Sequence, residues 1–179
     1  MAINLGIIGV SGRTLSDEKL LLNNHFDWMK EIVEIFCEDV LSCNDITLIS
    51  GGSAWCDHVA VSMFLTGNYP KLILYLPTDF DMDKKCFTNT YEGIILNNLH
   101  DKFSKKIKID TLQEIYECIN HINCEVVVKK GFYARNELIA TNIHHIIAFS
   151  FGDVPKGGTL NTWKKINHNK KTHFNLNWI

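Results

Sequence analysis

Apolar residues in this chain alternate between two rhythms. Short apolar runs of strand length occur at 3–10, 45–50, 71–76, 125–129 and 145–149, with glycine, proline or polar turn residues close behind each. Between them, apolar positions recur at three- and four-residue steps. Leu20, Leu21, Phe26, Met29, Ile32, Val33, Phe36, Cys37 and Val40 trace such a face from residue 16 to about 42. This is one long amphipathic helix or two with a break near Asn23-Asn24, with Ser16-Asp17-Glu18 supplying an N-cap and first-turn acids. Further helices are expected over 55–66, 91–105, 111–121, 132–142 and 159–168. The segment 78–90, with Asp79, Asp81, Asp83, Lys84 and Lys85, reads as a long loop, and the alternating tail 172–179 as a last strand.

Strands that alternate with helices imply parallel pairing and right-handed crossovers. The expected fold is α/β, a Rossmann-like three-layer sandwich with a mainly parallel sheet of about 6–7 strands. No linker divides the chain, so residues 1–179 read as one domain.

Composition narrows the function classes. A net charge of −2 counts against a general nucleic-acid binder, which shows a basic face, but leaves room for a local pocket holding one small phosphate. No apolar run is long enough to span a bilayer, and the N-terminus has no charged segment followed by an apolar one. The six cysteines (Cys37, Cys43, Cys56, Cys86, Cys118 and Cys124) sit in apolar surroundings without a C-x-x-C, as reduced thiols of a cytoplasmic protein do. A metal site is not expected: Cys118-x-x-His121-x-x-Cys124 lacks zinc spacing, and the aspartates of 79–83 lack the glycine and glutamate of a calcium loop. Nothing in the pattern calls for a cofactor, and Ser11 has no motif-level base partner.

The candidate chemistry lies in glycine-bearing loops. In a parallel sheet, ligands bind beyond the carboxyl ends of the strands. Three such loops follow predicted strands: Gly9-Val10-Ser11-Gly12-Arg13, Ser50-Gly51-Gly52-Ser53-Ala54, and Gly152 to Thr159. A fourth element, Gly131 to Asn136, opens a helix. Glycines between strand and helix let backbone N–H groups approach a phosphate. Arg135, at a predicted helix start, has the fork geometry to hold that phosphate, or else forms a salt bridge with Glu137 or Asp57. Asn136 completes the pocket or caps the helix. Gly157-Gly158-Thr159 reads as a phosphate cradle, with Thr159 also available as an N-cap. Asp57, one turn into its helix, suits a ribose diol or acid–base work, or is a first-turn acid; Asp153 is a second spare carboxylate. Trp55 could stack on a base or belong to the core. His100 could reach a ligand from a cap over the site, or be an exposed helical histidine.

Taken in order, Gly9…Ser11-Gly12-Arg13, Gly51-Gly52-x-x-x-x-Asp57-x-x-Ala60, Arg135-Asn136 and Gly157-Gly158-Thr159-x-x-Thr162 resemble the SLOG superfamily, which contains the DprA/SMF, YspA-like and LOG proteins. The YspA-like branch is the most similar, and the pattern runs from residue 5 to about 165. The resemblance implies a nucleotide-derived ligand bound by Ser11, Gly12, Arg13, Gly51, Gly52, Asp57, Arg135, Asn136, Gly157, Gly158, Thr159 and Thr162, to which the reading of the loops adds Ser53 and Trp55. It also implies a homodimer or higher oligomer, for which the long first helix offers a packing face.

One departure matters. LOG-type hydrolases carry a glutamate where this chain has Thr162, and a threonine supplies neither a carboxylate base nor charge for an oxocarbenium ion. Two function classes follow. A binding protein would sense or sequester a nucleotide. An enzyme would cleave an N-glycosidic bond of a nucleoside 5′-monophosphate, or transfer its ribosyl group, with Asp57 and Arg135 as catalytic residues.

Overall fold

In the computed structural model, which describes residues 2–179, the central strands of the sheet are apolar on both faces. Six strands pair in the order β6-β3-β2-β1-β7-β8, every pair parallel. They are β1 (Ile3–Gly9), β2 (Ile46–Ser50), β3 (Lys71–Leu76), β6 (Cys124–Val128), β7 (His145–Ser150) and β8 (Lys171–Asn175). The helices are α1 (Leu15–Leu20), α2 (Asn23–Ile35), α3 (Cys56–Leu65), α4 (Tyr91–Ile107), α5 (Thr111–Ile119), α6 (Phe132–Asn142) and α7 (Gly157–Lys165).

The period-two pleat sorts neighbouring apolar residues into two cores. Leu5, Ile7, Leu48, Leu72, Leu74, Ile147 and Phe149 face the first, with residues of α2 to α5. Ile8, Ile49, Ile73, Ile146 and Ala148 face the second, with Ile139 of α6 and Trp163 of α7. Handedness explains the division. The path β1→β2→β3→β6 steps one way along the sheet, whereas β7 and β8 lie on the opposite side of β1. Right-handed crossovers in opposite directions put their helices on opposite faces. The strand order therefore reverses between β1 and β7.

Several expected boundaries move. The first helical stretch is broken, at Leu21-Leu22, and α2 continues into a wider π-helical turn, Phe36–Leu41. Thr14, not Ser16, caps α1, its hydroxyl accepting from the Asp17 N–H at 3.2 Å. The expected loop 78–90 contains a short antiparallel ribbon, β4 (Phe80–Asp81) with β5 (Cys86–Phe87). Its turn is local: Asp81 Oδ1 accepts from the N–H groups of Asp83 and Lys84, both at 3.0 Å. The last helix begins at Gly157 rather than Thr159, and after β8 the chain closes in a 3₁₀ turn, Leu176–Trp178. No helix among the described residues is long and apolar enough to cross a membrane.

Candidate functional site

The reversal between β1 and β7 opens a cleft of about 470 Å³ beyond the carboxyl ends of the strands. Ile8 to Ser11 leave β1 along one wall, and Ser150-Phe151 leave β7 along another. The first turn of α7 (Gly157, Gly158, Thr159) with Lys156 and Thr162, the α6 residues Phe132, Arg135 and Asn136, Ser53 with Asp57, and Arg13, Thr14, Ser16 and Asp17 around the start of α1 also line it. Leu20 of α1 and Ile95 and Leu99 of α4 roof it with apolar surface.

Asp57 and Arg135 meet at its base. Arg135 Nη1 lies 3.9 Å from Asp57 Oδ2, and both residues are more than nine-tenths buried. Nη1 donates to the Gly51 carbonyl, and Nε donates to Asn136 Oδ1 at 3.0 Å. Among the described residues, Arg135 Nη2 has no acceptor. Asp57 Oδ2 accepts from the Ser53 N–H at 3.2 Å, while Oδ1 has no donor among those residues. Burial pushes the Asp57 carboxyl above its ordinary value, and the Arg135 charge, the Ser53 N–H and His58 pull it back down. Burial likewise lowers Arg135, against the pull of Asp57. For both groups desolvation outweighs the mutual attraction.

The Gly51-Gly52 loop positions this pair, and neither glycine lines the cleft. The Gly52 N–H is spent on Ser50 Oγ at 3.1 Å, and that hydroxyl donates to the Asp57 carbonyl at 2.7 Å. A Cβ on Gly51 would collide with Arg135 Nη1 and stand 2.6 Å from Asp57 Oδ2. Glycine is required at 51 for close approach, and at 52 for its left-handed φ of 76°.

The cleft brings together Ser11, Arg13, Ser53, Asp57, Arg135, Asn136, Gly157, Gly158, Thr159 and Thr162. Gly12, Gly51, Gly52 and Trp55 do not line it. Trp55 is a core residue: it is 3% exposed and packs on Phe103 with ring centroids 4.5 Å apart. It precedes α3 at φ 60°, a strained conformation for a bulky side chain, held by that packing. His100 is neither exposed nor at the ligand edge. It is fully buried, with Nε2 2.9 Å from the Gly52 carbonyl and Nδ1 2.8 Å from Thr111 Oγ1. Burial, reinforced by His58, pushes its pKa down to about 3, so the neutral ring donates from Nε2 and accepts at Nδ1. Asp153 is exposed outside the cleft and accepts from Asn175 Nδ2 at 3.1 Å. Thr162 is buried, its hydroxyl donating to the Gly158 carbonyl at 3.4 Å.

Phe132 and Lys156, to which the linear pattern assigns no role, also line the cleft. The Arg13 guanidinium stacks over the Phe132 ring at 4.8 Å and that of Arg135 approaches it at 5.8 Å. The Gly131-Phe132 helix start was visible in the sequence, but not which way the ring would turn. Lys156 occupies the N-cap of α7 without a side-chain cap bond, so the first-turn N–H groups are left bare. No grouping of His, Cys, Asp or Glu able to hold a metal occurs among the described residues.

No family model matches the chain, and no solved structure matches it. It is similar to a protein of Acanthamoeba polyphaga mimivirus called Uncharacterized protein R261, 49% identical over 176 residues that cover 97% of this chain and 96% of that one.

Proposed function

The chain belongs to the family of that mimivirus protein, and we propose that it binds a nucleotide or nucleotide-derived molecule in the cleft between β1 and β7. The observation that carries this reading is one juxtaposition. A buried arginine with a free Nη2 and the uncapped first turn of α7 both line a single cleft, at the reversal of strand order. The resemblance of the ordered glycine motifs to SLOG proteins supports it, as does a volume of about 470 Å³, within the usual range for small-ligand sites.

The ligand's phosphate sits over Gly157, Gly158 and Thr159, with Arg135, Arg13 and Lys156 supplying positive charge. Asp57 Oδ1 takes a sugar hydroxyl. The apolar roof and Phe132 receive the base.

A second reading, N-glycoside hydrolysis, has one observation in its favour. A buried carboxyl whose pKa is raised stands in the cleft, as a general acid requires. Against it, Thr162 cannot stabilise an oxocarbenium ion. Incubating the protein with a panel of nucleoside monophosphates and cyclic nucleotides, followed by chromatography of the denatured mixture, decides between the two. Ligand recovered intact from protein-bound fractions supports binding; released free base supports hydrolysis. If no member of the panel is either retained or cleaved, the proposed ligand class is wrong.

A further inference from the structure

The two edges of the sheet are finished differently. β8 is mostly polar, reading Lys171-Thr172-His173-Phe174-Asn175. β6 ends in Val126-Val127-Val128, with Val126 37% and Val128 36% exposed. The inward bonds of β6 fix which of its groups face out. The Lys129 N–H donates to the Leu76 carbonyl at 2.9 Å, and the Asn123 carbonyl accepts from the Leu72 N–H at 3.1 Å. Positions 123 and 129 thus face β3, and with them, by alternation, 125 and 127. The N–H and C=O groups of Val126 and Val128 point away from the sheet and have no partner among the described residues. An edge of this kind templates pairing with another strand.

We propose that β6 pairs with β6 of a second copy of this chain, antiparallel about a two-fold axis through Val127, joining both sheets into one. In this register Val126 lies opposite the second copy's Val128. Both present outward groups, so they exchange main-chain hydrogen bonds as a narrow antiparallel pair does. Glu125 then lies opposite the second copy's Lys129, and Val127 opposite its own copy. Charge selects this register over its neighbours. Centring the axis on Val126 sets Glu125 against the second copy's Val127, and centring it on Val128 sets Glu125 against Gly131. Glu125 already accepts from Lys71 Nζ at 2.8 Å and keeps capacity for a second ammonium. The antiparallel arrangement also brings Ile122, 95% exposed before β6, toward the end of the second copy's strand, where Tyr133 is 70% exposed. The interface is isologous and leaves both clefts open, because β3 and β2 separate β6 from β1.

Sedimentation velocity across a wide concentration range tests the pairing. The full chain is expected to dimerise as concentration rises. Val126→Pro removes an outward N–H and spares the bonds to β3, so it should lose the dimer while keeping its far-ultraviolet circular dichroism. Glu125→Lys and Lys129→Glu should each lose the dimer by placing like charges opposite one another, and the double variant should regain it. A chain that stays monomeric throughout, a dimer that survives the single substitutions, or a double variant that fails to recover would each overturn the proposal.

Discussion

The Arg135 guanidinium sits 3.9 Å from the Asp57 carboxylate beneath the Gly51 carbonyl, which takes the same Nη1. One buried cation therefore ties the start of α6 to the loop that follows β2, across the base of the cleft. Its remaining donor capacity faces outward.

Arg135→Ala removes that tie and leaves a buried carboxylate without its counter-charge. The expected loss is about 3 kcal/mol of folding stability, together with loss of anionic-ligand binding. Lysine at this position restores charge but not the planar fork, and should recover stability better than affinity. Urea denaturation and calorimetric titration with a nucleoside monophosphate read the two effects separately. Unchanged affinity in the alanine variant would remove Arg135 from the site.

Gly158→Ala separates binding from folding in the opposite sense. A Cβ at this position meets nothing within 4 Å, and the residue lies within α7. Folding stability should rise, by about 0.5–1 kcal/mol. The added methyl stands on the turn assigned to the phosphate, so affinity should fall. A variant that is stabilised and still binds normally would place the phosphate elsewhere.

Asp57 makes stability depend on pH. Its folded pKa is raised above the ordinary value of 3.8. The folded protein therefore holds a proton that the unfolded chain has already given up, and stability falls as pH rises from about 3.8 through the folded pKa. Asp57→Asn should abolish that part of the slope, as followed by thermal melts at a series of acidic pH values. An identical slope in the variant would show that Asp57 titrates as it does in the unfolded chain.

His100 acts with the opposite sign. Its folded pKa of about 3 lies below the ordinary 6.5, so its contribution is full above 6.5 and is lost as pH falls toward 3. Within that window the loss is at most about 1.4 kcal/mol per pH unit. His25, His145 and His173 are lowered too and add to it. The polar groups around His100 are the His58 ring at 5.5 Å, Thr111 Oγ1 and the Gly52 carbonyl. His100→Leu should flatten the acid limb and cost about 3 kcal/mol at neutral pH, by leaving the last two unpaired. It should also weaken ligand binding, because the Gly52 peptide helps to hold Asp57 and Arg135. Wild-type affinity in this variant would show that the loop holds without it.

The alternation of strand and helix was legible because the central strands are apolar on both faces, and only a parallel sheet covered on both sides buries them. Asp57 and Arg135 were legible as candidates because they stand beside glycine loops at helix starts, although a salt bridge or a first-turn acid is an equally ordinary role there, and the two do pair. Burial is what the linear pattern could not report. Trp55 and His100 looked available to a ligand until α4 and α5 closed over them: Phe103 covers the one, and Thr111 with Gly52 satisfies the other. The N–H of Gly52 looked free until Ser50 Oγ took it. In each case the partner lies elsewhere in the chain or turns back through a side chain, so its direction follows from packing rather than from local preference. The residue types and their order were thus set along the chain. Which of them face the cleft was decided by the reversal of strand order at β1 and by the helices packed around it.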